Sequence, residues 1–251
     1  MHLSPERSHA RRWMGLSCFL LALALPVQAE TELTVANSNW EPYYGDTLPG
    51  YGIAGRLLSH IFEPKDVSIT FLTMPWAQAM RRLELGMVDA VATAYDTPQR
   101  REDFYLSAAY DHSQQFFYQR QGSDIEWQQL EDLEGFTIGL IRDHAYSEEI
   151  DESPFLQREF FNDERQLLAV LAAQRVDLVL LDERVAEYEL SSAPPALAAL
   201  IEQVPRGLES RSLHLMFSGE TANGEALRDS FDQGLEKLRD SGELEALRQA
   251  N

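Results

Sequence analysis

Arg100 is the residue in this chain best placed to do chemistry. It follows an apolar run and a turn in Arg81–Tyr110, RRLELGMVDAVATAYDTPQRREDFYLSAAY. The run reads as a helix, a buried strand, and a turn that delivers an arginine beside a tyrosine-rich loop. A planar guanidinium can grip a carboxylate through two parallel hydrogen bonds, so the segment reads as a holder of a small anion. A surface ion pair with Glu102 or Asp103 is the plainer alternative for Arg100. Other chemistry is poorly represented. The histidines after the leader, His60, His112, His144 and His214, show no metal-ligand spacing. No H-E-x-x-H motif, nucleophile elbow or glycine-rich phosphate loop occurs. No metal and no cofactor is therefore expected.

The elements that must position Arg100 alternate along the chain. Strands are expected at Leu33–Ala36, Val67–Leu72, Val88–Thr93, Gln115–Gln119, Phe136–Ile141, Val176–Leu181 and Ser212–Phe217. Helices are expected at Ile53–Phe62, Pro75–Leu85, Glu164–Gln174, Asp182–Leu190 and Ala226–Arg248, the last broken near Ser241-Gly242. Trp40, Tyr43 and Tyr44 stand in an aromatic loop, where Trp40 and Tyr44 could meet a ligand. Trp76, after Pro75 at a helix start, reads as core. Strand–helix alternation predicts an α/β fold with mostly parallel sheets flanked by helices. AMRRLELGMVDAVATAYD is echoed by LLAVLAAQRVDLVLLDE, which points to two similar lobes. Ligands of open α/β sheets bind outside the carboxyl ends of strands. The echoed strands end at Tyr95–Arg100 and at Asp182, which is also a good helix N-cap. Asp89 and Asp177 read as turn formers away from that cleft.

Composition narrows the partners. Arg7, Arg11 and Arg12 precede the short apolar run Trp13–Leu25, and Ala29 ends a small-residue cleavage pattern, so residues 1–29 are expected to be a signal peptide. The single cysteine, Cys18, falls inside it, so the exported remainder has no disulfide. The formal charge is −20, and the leader removes more positive than negative charge. Such a chain repels nucleic acid and anionic membrane surfaces. No other apolar run is long enough to span a membrane.

At this point the chain resembles bacterial extracellular solute-binding proteins of family 3, the polar amino acid group serving ABC uptake systems. Gly86, Asp89, Thr97, Pro98, Arg100, Leu106, Ser107 and Tyr110 match its first-lobe run. Leu133, Gly135, Ile138 and Gly139 match its second-lobe run, and Val176, Asp177 and Asp182 its V-D-x-x-x-x-D. The resemblance implies a two-lobed periplasmic binding protein fold of type II. Lobe 1 would be 30–115 and 219–251, lobe 2 would be 116–218, and hinge strands would lie near 115–119 and 213–218. It implies a ligand carboxylate on Arg100 and an ammonium on Asp182. Thr93 and Tyr95 map loosely onto further contacts, with Tyr95 narrowing the cleft or stacking, and Arg142 and His144 face the cleft beside Asp143, which replaces a usual glycine. The function implied is a periplasmic, monomeric, non-enzymatic solute-binding protein that hands a polar amino acid or similar small carboxylate to an inner-membrane ABC permease. A cyclic-acid dehydratase on the same scaffold, with Asp182 or His144 as general acid, and a ligand sensor acting in trans are the alternatives.

Overall fold

A computed structural model describes His2 and residues 31–142 and 144–249. Apart from His2 the expected leader lies outside the described residues, as does Asp143. In chain order the elements are β1 (Thr31–Asn37), α1 (Gly52–Phe62), β2 (Val67–Thr73), α2 (Trp76–Glu84), β3 (Ala90–Tyr95), α3 (Pro98–Asp103), β4 (Phe104–Leu106), β5 (Asp111–Ser113) and β6 (Gln115–Arg120). The chain continues with β7 (Thr137–Ile141), α4 (Glu148–Asp151), β8 (Gln157–Phe161), α5 (Glu164–Ala172), β9 (Leu178–Asp182), α6 (Glu183–Ser192), α7 (Pro195–Ala198), β10 (Ile201–Gly207), β11 (Arg211–Ser218), α8 (Gly224–Ser241) and α9 (Glu243–Gln249). They build two sheets, each flanked by helices.

The first sheet runs β2-β1-β3-β11-β4, with β5 also on β11; the second runs β10-β6-β9-β7-β8. Each holds three parallel strands, β2-β1-β3 and β9-β7-β8, and gains antiparallel strands beyond them. The chain leaves the first sheet at Ser113, enters the second at Gln115, and returns between Gly207 and Arg211. The strand expected as a hinge at 213–218 is thus a full member of the first sheet, paired along its length with β3, β4 and β5. Sequence patterning missed β4, β5, β8 and β10, because short strands and edge strands carry too few residues for alternation to register.

Why these segments are central strands is plain from burial. Every residue of β3 and of β9 is buried, as a strand covered on both faces requires. In β9, Leu178 and Leu180 face one core while Val179 and Leu181 face the other. In β3 the alternation slips. Ala90, Ala92 and Tyr95 join the core with α1 and α8, whereas Val91 and Ala94 join the core beneath α2. The cause is Thr93, at φ 58°. Between Ala94 and Val91 the strand carries one residue more than its partner β11 does between His214 and Met216. This is a bulge, and it shifts the side chains beyond it by one position. It is what turns Tyr95 toward the first core and the cleft.

The sequence echo has a structural basis. Asp89 accepts a hydrogen bond from the Thr34 backbone N–H at 2.8 Å, and Asp177 accepts one from Thr137 N–H at 2.8 Å. The Asp89 and Asp177 N–H groups return bonds to the same residues' carbonyls, each at 2.9 Å. Each aspartate therefore clips the start of one central strand to its parallel neighbour. The preceding helices end alike, through Gly86 and Gln174, both at φ 62°. Asp89→Ala should lower stability by roughly 1.5–3 kcal/mol, the worth of a hydrogen bond to a charged group. Urea unfolding measures this, and a loss below about 0.5 kcal/mol would refute the clip.

Candidate functional site

A cavity of about 310 Å³ opens between the two sheets. Its walls are the loops that follow β1, β2, β3, β7 and β8, with Ser38–Trp40, Pro75–Ala77, Arg100, Arg142, His144, Ala145 and Asn162 among the lining residues. The carboxyl ends of five parallel strands thus converge on it, where open α/β sheets place their ligands.

Arg100 lines this cavity on α3. Thr97 caps the helix, its hydroxyl accepting from Arg100 N–H at 3.3 Å. Pro98 occupies the first turn, where its missing N–H costs nothing. The guanidinium donates from Nη1 to the Tyr95 carbonyl at 2.7 Å and lies 5.3 Å from the Trp76 ring centroid. Burial, and then Arg211, push its pKa down. Among the described residues no carboxylate lies within 4.0 Å of it; the ion pairs of this chain form elsewhere. The alternative of a surface pair with Glu102 or Asp103 does not form among the described residues, while Arg101 pairs with Asp96.

Tyr95, Thr93, Trp40, Arg142 and His144 also line the cavity. Thr93 Oγ1 accepts from Asn37 Nδ2 at 2.6 Å. A β-branched residue held at positive φ inside a strand stores strain, which often marks a functional position. Trp40 stacks on Tyr43 with centroids 4.7 Å apart and meets Tyr95 and His144 at 6.0 and 5.8 Å. His144 sits among Trp40, Tyr95 and Tyr146. Burial, then Arg211 and Arg100, push its pKa down to about 4, so the ring is neutral. Arg142 is exposed and reaches the Phe160 carbonyl at 3.4 Å.

Two expected residues stand elsewhere. Tyr44 is fully buried and packs near Tyr51 and Phe71 in the first core. Asp182 does not line the cavity. It caps α6, accepting from Val185 N–H at 3.0 Å. Its carboxylate also accepts from the Tyr43 hydroxyl at 3.0 and 3.2 Å and from Ser113 Oγ at 2.6 Å. Tyr43 and Ser113 belong to the first-sheet lobe and Asp182 to the second, so this carboxylate ties the lobes together. Nearby, Arg184 of α6 reaches Asp111 of β5 at 2.7 Å. From the start of β11, Arg211 donates to the Ala145 carbonyl at 2.5 Å and lies 3.7 Å over the Tyr95 ring.

Sequence reasoning missed three participants. Trp76 packs against the core beneath α2 and also forms cavity wall, where the cation it faces, Arg100, lies 24 positions on. Arg211 starts β11, one residue before the strand expected at Ser212–Phe217. Glu164, in the first turn of α5 beside its cap Asp163, lines the cavity and carried no signal beyond a helix start. Burial, aided by Glu189, Asp163 and Glu41, pushes the Glu164 carboxyl up to about 7 against the opposing pull of its own backbone N–H. A carboxyl raised in the folded state contributes fully below its unfolded value near 4.5, and that contribution is lost as pH rises toward 7. Glu164→Gln should therefore flatten the fall in stability between those pH values by about 1–3 kcal/mol. Denaturant titrations at pH 5 and pH 8 test this; parallel pH profiles for the two proteins would contradict it.

A model of bacterial extracellular solute-binding proteins, family 3, matches residues 34–250. No curated protein matches the chain. Solved structures do. An arginine transport-system periplasmic binding protein from Legionella pneumophila is 21% identical, with 86% of this chain and 97% of that one covered, at a TM-score of 0.72. A histidine kinase sensor domain with similarity to periplasmic binding proteins is 21% identical over 87% of this chain and 94% of its own, at 0.75. An ancestral amino acid-binding protein, a precursor of cyclohexadienyl dehydratase, is 17% identical over 86% and 93%, at 0.70. These likenesses show a shared two-lobed fold.

Proposed function

Since the chain belongs to the bacterial extracellular solute-binding proteins of family 3, we propose that it captures a small carboxylate-bearing solute in the inter-lobe cavity and delivers it to an inner-membrane ABC permease. The observation that carries this is Arg100: a half-buried guanidinium on the cavity wall with no carboxylate partner among the described residues. Removing such a charge from water without a counter-ion costs several kcal/mol. A ligand carboxylate supplies the missing counter-ion and gains two charge-assisted bonds. The global charge of −20 opposes any anion, so affinity and selectivity rest on the local arginine.

The lobes would close by movement at the two crossings, Gln114 and residues 208–210, with lobe 1 formed by the first sheet and its helices. Periplasmic binding proteins close around their ligands by hinge motion of this kind, and contacts made from both lobes let ligand favour the closed form. Polar amino acids are the default solutes of the family resemblance, and export through a leader cut after Ala29 would place a monomer in the periplasm. Among the described residues no helix is long and apolar enough to cross a membrane.

One observation favours a second reading, proton transfer to a bound acid. Glu164, with its carboxyl pushed up to about 7, is suited to donate a proton near neutral pH. The two general acids expected on such a scaffold are poorly suited: Asp182 is bonded outside the cavity and His144 is held neutral. Recovery of chemically unchanged ligand after prolonged incubation supports binding alone; accumulation of product supports the second reading.

Arg100→Ala should weaken carboxylate binding by roughly a hundredfold or more in calorimetry, from the loss of two charge-assisted bonds. The same variant should unfold at an equal or higher urea midpoint, because it removes an uncompensated charge. Unchanged affinity would sink the assignment of the cavity.

A further inference from the structure

The groups around Arg100 narrow the solute class beyond a carboxylate, a narrowing that rests on the binding function already proposed. An α-amino acid held by its carboxylate at Arg100 brings an ammonium on the carbon next to that carboxylate. A buried ammonium needs an acceptor, preferably an acid, at that place. The charged side chains that meet at Tyr95 are cations instead: Arg100 donates to its carbonyl at 2.7 Å, and Arg211 lies 3.7 Å over its ring and forms no ion pair among the described residues. Arg142 opens onto the same cavity.

The acid that would meet an ammonium is shut out. Asp182 is 3% exposed, and its two oxygens already accept from Tyr43, Ser113 and Val185. Tyr95 forms the barrier: it lines the cavity, while its hydroxyl pairs with Ser113 Oγ at 2.9 Å, and that oxygen in turn donates to Asp182. The bulge at Thr93 turns Tyr95 to this position. Releasing Asp182 toward a ligand would leave the Tyr43 hydroxyl, itself buried, with only the His112 carbonyl at 3.3 Å. Glu164 is the acid that lines the cavity among the described residues. It is carried by the start of α5 on the second-sheet lobe, whereas Arg100 is carried by α3 on the first, and no ion pair joins the two among the described residues; in this reading Glu164 serves a polar group of the solute beyond the carboxylate. Trp40, Trp76 and Tyr95 also line the cavity, and their aromatic surface suits a flat apolar body.

We propose that the solute is an organic acid without an α-ammonium group, and that Tyr95, by walling off Asp182, is the residue that determines this choice. Calorimetry on the protein without its leader would compare matched pairs: glutarate with L-glutamate, 3-phenylpropionate with L-phenylalanine, and 5-guanidinopentanoate with L-arginine. In every pair where either member binds, the acid lacking the α-ammonium should bind at least about tenfold more tightly, the effect of leaving one buried ammonium without an acid. Equal or tighter binding of the α-amino acid in any pair overturns the proposal and leaves carboxylate binding standing. Failure of all six, and of a wider panel of carboxylates, would overturn both together.

Discussion

An arginine without a counter-ion is the constraint around which the rest of this structure is arranged. Arg100 stands in a chain with nearly twice as many acidic as basic residues, yet no acid approaches it among the described residues. Carboxylates pair with several other arginines: Arg101 with Asp96, Arg184 with Asp111, Arg165 with Glu189. The protein instead supports Arg100 with neutral groups, the Tyr95 carbonyl and the Trp76 face. These hold the guanidinium in place without neutralising it. Its free donors remain directed to whatever enters the cavity, and that is the physical content of a preorganised anion site.

The fold supplies that preorganisation through a few local devices. Asp89 and Asp177 lock the starts of the two central strands, so the strand ends that frame the cavity are fixed in register. The extra residue around Thr93 re-aims Tyr95. Thr97 and Pro98 start the short helix that carries Arg100. On the opposite lobe, Asp182 is spent on holding the lobes together through Tyr43 and Ser113. That bond couples the closed arrangement to the chemistry of the cleft: the carboxylate that stabilises lobe contact is withheld from the solute.

Much of this was legible in the sequence. The two-lobed α/β architecture follows from the alternation of elements and from the paired Val-Asp segments, whose aspartates perform the same backbone task in both lobes. Arg100, Tyr95 and Trp40 were legible because an apolar strand followed by a turn fixes where its end must point. The fate of Asp182 was not legible. Its position at a strand end is the same whether it faces ligand or lobe partner, and the choice is made by Tyr43 and Ser113, which lie 139 and 69 residues away in sequence. The cavity-facing side of Trp76 was hidden for a similar reason, since an aromatic residue at a helix start reads as core alone until the cation it faces is known. Glu164 looks like any acidic residue in a first helical turn; only burial in the cavity distinguishes it.

A crystal structure of the protein with a bound carboxylate tests the central claim most directly. Both carboxylate oxygens should sit on the Arg100 guanidinium, with Asp182 still bonded to Tyr43 and Ser113. A ligand carboxylate placed away from Arg100, or Asp182 turned into the cavity to meet the ligand, would contradict it.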